Sequence, residues 1–587
     1  MSRIFKVLLP SCWLLVCSCS SGSGSRVSPI DAFSGDPDVP TAAGGAADTS
    51  AVGTGGAQET ADLAGAGGAI STGGTALDGG VDSNGGATGG LPAIGGSTSS
   101  AGTLSTGGTT STGGSHATGG STSSAGTLST GGATGTGGAT ASGGVDAGTG
   151  AGTCGDGDPN LPPEPTIPPA CATLPATQNV PAGGVPSETS LDTSAIQKAL
   201  TACASGQAVK LTTGGANNAF VTGPLTLPSG VTLWVDAGTT LYATRDPKVW
   251  GAATALVSVS GLNSGIVGDG VIDGQGGEPN LGSSQSWWDQ NAGSSGNSPA
   301  LIAVKGATNF TLYRITLHNS PKFHVKLGSA GFVVWGVTIK APTAASNSAG
   351  TALTYSNAHN TDGIDPGEAA SDGSIVCSKI STGDDQIAIK GSSATGVKHL
   401  VIAHNHFGAG HGISIGSEFT GGVSDINVYD LSIDGLNMGT SGGSSNGIRI
   451  KSDTSRGGLV NNVSYGDVCV RNLSNPILLT PKYSTATGAF IPQYTNIKIQ
   501  NFHGLSGGSN TPLVTLDGYD SSHMNSITLD NVVIDGISAA NVTASYTSVT
   551  LGPGNVNFIP SGTNVNVTNS ISGSSTPNPC TNKWVTF

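Results

Sequence analysis

The chain has 587 residues, of which 95 are glycine, 10% are charged and 5% are aromatic, and its formal net charge is −14. This composition excludes a coiled coil, a polytopic membrane protein and, because the glycines follow no three-residue period, a collagen-like chain. An acidic chain without a run of Lys and Arg is also poorly suited to binding nucleic acid, whose phosphates are bound by clustered cations.

The N-terminus has the features of an export signal. A short basic region precedes an apolar run over residues 7–16, which is too short for the ~20 residues of a membrane-spanning helix. The Val-Cys-Ser-Cys motif at 16–19 resembles a bacterial lipobox, so we predict a lipoprotein-type signal over 1–19, lipidated at Cys19. The alternatives are lipidation at Cys17 and an ordinary secretory signal. All three interpretations predict an exported chain: an outer-membrane or cell-surface lipoprotein, or a protein secreted outside the cell.

A stretch rich in Gly, Ser and Thr follows the signal. Residues 22–153 hold 39 of the glycines, a single aromatic residue and no lysine. The segment Gly95–Gly108 recurs letter for letter as Gly119–Gly132. Such a stretch cannot bury enough apolar surface to offset its chain entropy. We therefore predict a disordered, flexible linker over 20–153.

Short β-rich runs dominate residues 154–587. The segment Asp192–Ala204 carries Ile196 and Leu200 at helical spacing, which predicts one short amphipathic helix. The Val- and Ile-rich runs after it are Gly230–Val235, Ser264–Asp273, Phe310–Leu317, Phe332–Ile339, Ile375–Ile380, Leu400–His404, Ile426–Ile433, Tyr494–Ile499 and Ile527–Ile534. They recur every ~20–40 residues, whereas a sandwich or barrel turns every ~8–12 residues. The spacing predicts an all-β solenoid, a parallel β-helix whose first coil the helix caps.

Six cysteines remain after the signal, and an even count in an exported protein favours disulfides. The sequence does not fix their connectivity. One pair is expected to join the entering segment to the predicted helix, and the other two follow by elimination. These expected pairs are Cys171–Cys203, Cys154–Cys580 and Cys377–Cys469.

Neighbouring coils of a β-helix stack about 4.8 Å apart, so residues one coil apart in sequence lie side by side. Chemically useful side chains should therefore recur at the coil period, and a polar series does so at intervals of 22 to 38 residues. Its members are Asn360, Asp362, Asp384, Asp385, His411, Arg449, Lys451 and Tyr483. We predict that they form one site.

The carboxylates of this series suit glycoside hydrolysis. One carboxylic acid must protonate the leaving oxygen while another carboxylate activates water or attacks the sugar. Crowding Asp362, Asp384 and Asp385 should raise at least one pKa by like-charge repulsion, and His411 can hold or share that proton. Adjacent Asp384 and Asp385 would point to opposite faces of a regular strand, so the backbone must bend there if both serve one site.

The cations of the series suit an acidic substrate. Arg449 and Lys451 stand at i and i+2, on the same face of a strand. Together they make a two-cation island suited to a substrate carboxylate, which Arg can bind with two hydrogen bonds.

The order Asn-Thr-Asp, Asp-Asp, Gly-His-Gly, Arg-Ile-Lys resembles the polygalacturonases of glycoside hydrolase family 28, and the likeness covers roughly residues 165–587. Further similar segments are Gly223–Leu225, Gly268–Gly276, Trp287–Trp288, Asn319–Pro321 and Pro476–Tyr483. The resemblance implies a right-handed parallel β-helix. It also implies hydrolysis of α-1,4-linked galacturonan in pectin with inversion, without a metal or other cofactor.

The resemblance also implies catalytic roles. Asp384 would be the general acid, Asp362 and Asp385 would hold and activate the water, and His411 would tune the protonation of the acid. Where many fungal members carry Cys after the Asp pair, this chain has Gln386, so a disulfide bracing that turn is absent.

The same resemblance implies substrate-binding roles. Arg449 and Lys451 would bind the galacturonate carboxylate, Tyr483 would help to seat the sugar, and Asn360 would support the cleft. Endo action is favoured because no extra domain precedes the β-helix to block the cleft. Exo action and rhamnogalacturonan hydrolysis on the same fold are the open alternatives. A calcium-dependent pectate lyase and a non-catalytic adhesin are the more distant ones. The expected partners are pectin oligosaccharides, with a monomeric chain.

The remaining acidic, imidazole and indole side chains carry no such pattern. We interpret four aspartates as turn residues: Asp365, Asp372, Asp425 and Asp434. Five histidines are interpreted as packing or surface residues: His318, His324, His399, His404 and His406. The two tryptophans of Trp287–Trp288 are expected to pack in the core more readily than to line a cleft.

Overall fold

A computed structural model describes residues 154–292, 297–435, 446–506 and 511–587. The predicted signal, the lipidation at Cys19 and the linker over 20–153 lie outside the described residues. Within the described part of the chain, no helix combines the length and the apolar character needed to span a membrane.

The fold is a parallel β-helix, as the spacing of the β-rich runs predicts. Strands pair in parallel with strands one coil away, which builds three sheets around one core. Sheet A consists of Leu225–Leu227, Ala255–Val259, Ala300–Thr308, Val325–Ala330, Ile364–Pro366, Ile387–Ile389, Ile413–Ile415, Asn446–Lys451, Asn475–Thr480, Val514–Asp517 and Val542–Ser545.

Sheet B begins earlier in the chain and runs to its last coil. Its strands are Ala170–Pro175, Gln207–Thr212, Val231–Val235, Gly265–Val267, Thr311–Tyr313, Val333–Trp335, Ser371–Val376, Val397–Phe407, Val423–Asp434, Leu459–Arg471, Gln493–Leu505, Asn525–Ile534, Thr547–Leu551 and Val565–Asn569. Sheet C consists of Ala219–Thr222, Thr240–Ala243, Val271–Asp273, Thr316–His318, Thr338–Lys340 and Lys379–Ser381.

Long strands replace the separate strands of sheets B and C from residue 397 onward. They bend at residues in the left-handed conformation, such as Asn462 (φ 58°) and Asp467 (φ 54°) within Leu459–Arg471. Asn and Asp tolerate this conformation better than other non-glycine residues do, which explains the Asn-rich ends of the β-rich runs.

Stacked isoleucines fill the core behind sheet A. The fully buried ladder comprises Ile364, Ile387, Ile413, Ile448 and Ile477, each paired with its neighbour across the sheet. Burying each such side chain contributes about 2 kcal/mol. Because side chains alternate along a strand, the residue after each isoleucine faces outward, which places Asp365, Ser414 and Arg449 on the outer face of sheet A.

The predicted helix is present as Thr193–Ala202, with Ile196 and Leu200 fully buried. It packs against the first coils, on the strands Gln207–Thr212 and Leu225–Leu227, as expected of a cap. The other helical elements of the described residues are Pro247–Trp250, Trp287–Asn291 and the 3-10 turn Ala539–Asn541.

Both tryptophans of the Trp287–Trp288 pair are buried, which confirms that they pack in the core. The indole N–H of Trp288 donates to the Ser320 carbonyl oxygen at 2.9 Å.

Of the three expected disulfides, Cys171–Cys203 is confirmed and joins the first strand to the end of the cap helix. The other two expected pairs are wrong, because the structure joins Cys154 to Cys377 and Cys469 to Cys580. The reason is the path of the two chain ends. The segment 154–169 packs apolar side chains on the outer surface of sheet B, and the C-terminal tail runs back over the same sheet. The spacing of the cysteines in the sequence does not encode either path.

Candidate active site

The predicted site residues come together on the outer face of sheet A. Asp362, Asp385 and His411 each stand two residues before a core isoleucine, and those isoleucines pair across successive strands. The three side chains therefore start from equivalent positions on neighbouring coils, about 4.8 Å apart. Arg449 and Lys451 lie on the next strand of the sheet.

A backbone bend brings Asp384 into the same site as Asp385. Both residues precede the strand Ile387–Ile389 in a non-strand conformation, as the adjacent carboxylates require. Asp384 Oδ1 accepts the Asp385 backbone N–H at 2.8 Å and lies 3.0 Å from His411 Nδ1. The preceding Gly383 is needed for space, because a Cβ there would lie 2.3 Å from the Ala358 carbonyl oxygen.

Asp385 is held by three side chains. Its Oδ1 accepts the Ser414 hydroxyl at 2.7 Å and a short hydrogen bond from the Arg449 guanidinium, and its Oδ2 lies 3.3 Å from Lys451 Nζ. Arg449 Nε also donates to Ser414 Oγ at 2.9 Å. Arg449 is only 1% exposed and Lys451 only 7% exposed. The cation pair therefore orients Asp385, and Lys451 is the more accessible of the two cations.

The carboxylates differ sharply in their electrostatics. Burial would raise the pKa of Asp384, but the charges of His411, Lys451 and Arg449 outweigh it and hold that pKa well below its usual range. Burial first, and then repulsion from other carboxylates, raises the pKa of Asp362 well above its usual range. The expectation of at least one raised pKa is confirmed, with burial as the larger cause. These opposite shifts favour a proton on Asp362 over one on Asp384 in the free site.

Asp365 and Lys390 belong to this site, although the sequence interpretation assigned Asp365 to a turn. Asp365 is 4% exposed, and Lys390 Nζ lies 3.6 Å from its Oδ2 and 3.8 Å from Asp362 Oδ2. Burial raises the pKa of Asp365 to about 7, against the opposing charges of Lys390 and Lys326. The alternation that buries Ile364 could have shown that Asp365 faces outward.

His324 contacts the backbone of the turn that carries Asp362, in addition to packing in the interior. It is fully buried, and its Nδ1 lies 3.1 Å from the carbonyl oxygens of Thr361 and Asp362. Burial lowers the pKa of His324 to about 4, so the imidazole is neutral near pH 7 and Nδ1–H can donate to these carbonyls.

The buried Gln386 amide braces the turn that carries Asp384 and Asp385. Its Nε2 donates to the Gly408 carbonyl oxygen at 2.9 Å, and its Oε1 accepts the Gly412 backbone N–H at 2.5 Å. Gly410 allows this approach, because a Cβ there would lie 2.3 Å from Gln386 Nε2. Two hydrogen bonds from Gln386 to the next coil therefore brace this turn. In many fungal members, which the resemblance suggests carry Cys at this position, a disulfide would brace it.

The two remaining predicted residues lie at the edges of the site. The Tyr483 ring is half-buried, with Lys451 Nζ 4.7 Å from its centre. Asn360 is half-buried in the left-handed conformation (φ 55°), which places it in the turn that leads to Asp362.

One group of side chains in the described residues has the spacing of metal ligands. Asp384, Asp385 and His411 offer ligand atoms within 4.8 Å of one another. Arg449 and Lys451 already neutralise Asp385, and His411 already pairs with Asp384. The charge balance of these carboxylates is thus supplied by side chains, which fits acid–base chemistry better than metal binding.

Comparison with known proteins places this arrangement in a family. Residues 203–554 match the model of "Glycosyl hydrolases family 28". The chain is 42% identical over 404 residues to a polygalacturonase of Ralstonia nicotianae, covering 61% of this chain and 75% of that protein. It is 39% identical over 370 residues to an endo-polygalacturonase of Pectobacterium carotovorum, covering 59% and 85%. The solved polygalacturonase of Erwinia carotovora superposes with a TM-score of 0.56 at 34% identity, over 70% of this chain and all of that one.

Proposed function

The chain belongs to family 28 of the glycosyl hydrolases, and we propose that it hydrolyses the α-1,4-galacturonosyl linkages of polygalacturonate, the backbone of pectin. The observation that carries the proposal is the convergence of Asp362, Asp384, Asp385 and His411 beside a buried cation pair. The names of the relatives, polygalacturonase and endo-polygalacturonase, support the same substrate.

Asp384 acts as the general acid that protonates the leaving oxygen. In the free enzyme the nearby cations hold its pKa low. A substrate carboxylate bound at Lys451 and Arg449 brings negative charge to those cations, which raises the pKa of Asp384 in the complex. His411, 3.0 Å away, supplies the proton to Asp384 or shares it. Substrate binding thereby creates the acid that the reaction needs.

Asp385 and Asp362 hold the attacking water on the opposite side of the sugar. Asp385 is fixed by its pairing with cations, and Asp362 Oδ1 is buried without a hydrogen-bond partner in the structure. A water bound between them would satisfy that oxygen. One of these two carboxylates accepts a proton from the water as its oxygen attacks. This direct displacement inverts the anomeric carbon and gives a β-configured product.

Lys451 and Arg449 bind the carboxylate of the galacturonate residue, with Lys451 making the accessible contact. Tyr483 seats the sugar next to Lys451, and Asn360 shapes the turn that places Asp362. A rhamnogalacturonan hydrolase is disfavoured because the Asn360 and His411 of the two motifs are both present.

The test is the release of reducing ends from polygalacturonate in the presence of EDTA. Hydrolysis should continue without metal and without the absorbance of an unsaturated uronide. Absorbing products, or activity that disappears with EDTA, would indicate a lyase. A protein that binds polygalacturonate but releases no reducing ends would indicate an adhesin.

We further propose endo action, which the name of the Pectobacterium relative supports. Early products of an endo enzyme are oligogalacturonates of mixed length. A single mono- or disaccharide from the first minutes would indicate exo action.

We also propose that the N-terminal region tethers the enzyme to the cell surface. A signal over 1–19 and a linker over 20–153 would tether a monomeric catalytic domain of residues 154–587 at Cys19 on the cell surface. Labelled fatty acid should enter the wild-type protein and should not enter Cys19→Ser. Equal labelling of the two would place the lipid elsewhere, and no labelling of either would favour a secreted protein.

A further inference from the structure

Three lysine side chains gather round one aromatic ring beside the carboxylates. The Nζ atoms of Lys322, Lys326 and Lys390 lie 5.3, 5.2 and 4.8 Å from the centre of the Phe323 ring. Lys322 and Phe323 are buried at 6% exposure each, whereas Lys326 is exposed. We call these four residues the Phe323 cradle.

The cradle adjoins the carboxylates on the outer face of sheet A. Lys326 pairs with Asp365 across neighbouring strands, and Lys390 lies within 4 Å of both Asp365 and Asp362. Both carboxylate oxygens of Asp365 are buried and accept no hydrogen bond in the structure. Buried polar atoms normally have such partners, and the hydroxyl groups of a bound sugar would supply them.

Clustering positive charge in this way has an electrostatic cost. Like-charged ammonium groups that share one ring repel one another, and an anion bound among them would offset that repulsion. The three ammonium groups of the cradle lie beside two carboxyl groups, Asp362 and Asp365, and burial raises the pKa of both. The local charge is therefore positive, although the chain as a whole carries a net charge of −14. The cradle therefore fits an anionic ligand better than a neutral one.

The cradle is separate from the Arg449 and Lys451 pair. Strand register places Lys390 and Lys451 in equivalent positions two coils apart, about 9.6 Å along sheet A. Lys390 leans towards Phe323 on an earlier coil, while Lys451 leans towards Tyr483 on a later one. One carboxylate bonds donors about 3 Å away and cannot serve both groups.

We propose that the Phe323 cradle binds the carboxylate of a second galacturonate residue, across the scissile bond from the residue held by Arg449 and Lys451. This inference rests on the proposed function. The substrate chain then crosses the strands of sheet A, with the acid and the water-binding carboxylates between the two anion sites. Asp365 accepts hydroxyl hydrogen bonds from the sugar at the cradle.

The test uses Lys326→Met, which removes an exposed ammonium group and keeps the unbranched stem. The kcat/KM for polygalacturonate should fall about tenfold, the scale of one hydrogen bond to a charged group, mainly through KM. The dependence of kcat/KM on salt concentration should also become shallower, because the variant lacks one cation–anion contact that salt screens. Lys326→Arg should recover most of the activity.

The matched control is Lys198→Met, an exposed lysine on the cap helix, which should change neither kcat/KM nor its salt dependence. Unchanged kinetics in Lys326→Met, or a fall in kcat with an unchanged salt dependence, would overturn the cradle and leave the proposed function intact. A wild-type protein that releases no reducing ends would instead overturn the proposed function, and the cradle with it.

Discussion

Asp384→Asn separates the chemistry of the site from its architecture. The Asn Oδ1 can still accept the Asp385 backbone N–H at 2.8 Å and face His411 Nδ1 at 3.0 Å, so both contacts of Asp384 Oδ1 survive. The substitution removes the negative charge and the ability to deliver a proton. We expect kcat to fall by at least ~10², and up to ~10⁴, which is the range of a general acid's contribution. This corresponds to about 2.7–5.5 kcal/mol of transition-state stabilisation.

The fold should change much less than the rate. Because the pKa of Asp384 is lowered in the folded protein, its charge stabilises the fold above the unfolded pKa, and this contribution is lost as pH falls through the folded pKa. Asp384→Asn therefore loses stability near neutral pH, by about 1 kcal/mol if one charged hydrogen bond becomes neutral. Removing the Asp384 charge also lowers the raised pKa of Asp362, which offsets part of this loss.

The assay measures kcat from reducing ends and the free energy of unfolding from urea denaturation. An aryl galacturonoside adds a sharper readout, since its phenol leaving group needs little protonation and should largely restore the rate of Asp384→Asn. The matched control is Asp372→Asn, the same change at a carboxylate that is 61% exposed on sheet B. A kcat near that of the wild type, or an equal loss with both leaving groups, would refute the role of Asp384.

Three further predictions concern binding and stability. Lys451→Ala should raise KM for polygalacturonate about tenfold or more while lowering kcat less, and steady-state kinetics showing the reverse would contradict its binding role. The hydrogen bond to Asp430 raises the pKa of His404, so its contribution to stability is fully present below about pH 6.5 and is lost as pH rises through the folded pKa. His404→Gln should therefore lower the melting temperature more at about pH 5 than at about pH 9, and an equal drop at both would count against the ion pair. Breaking Cys154–Cys377, whose separation is 223 residues, by a double Ser substitution should cost about 1.7 kcal/mol more than breaking the disulfide of separation 32, as urea denaturation would measure.

The repeating parts of this structure could be predicted from the sequence, because residues one coil apart in the sequence of a β-helix are neighbours in space. Asp362, Asp385 and His411 recur at the coil period, and the register of the strands places them side by side. The bend at Asp384 and Asp385 also followed from the need for two adjacent carboxylates in one site.

Other features could not be predicted, because they depend on parts of the structure that the repeating coils do not determine. The disulfides of Cys154 and Cys580 are set by how the two chain ends run over sheet B, which no coil period encodes. Asp is common in turns, so composition alone predicts a turn residue at Asp365, although its position after Ile364 places it on the outer face. Likewise, the depression of the pKa of Asp384 follows from the charges around it, which only the folded arrangement brings together.

The central claim is direct displacement by a water held opposite the acid. Proton NMR of the first products from an oligogalacturonate tests it most directly, because the new reducing end reports the configuration before mutarotation. We predict that the β-anomer forms first and that the α-anomer appears only later as the two equilibrate. An α-anomer formed first would mean retention through a covalent intermediate, and would contradict the roles assigned to Asp362, Asp384 and Asp385.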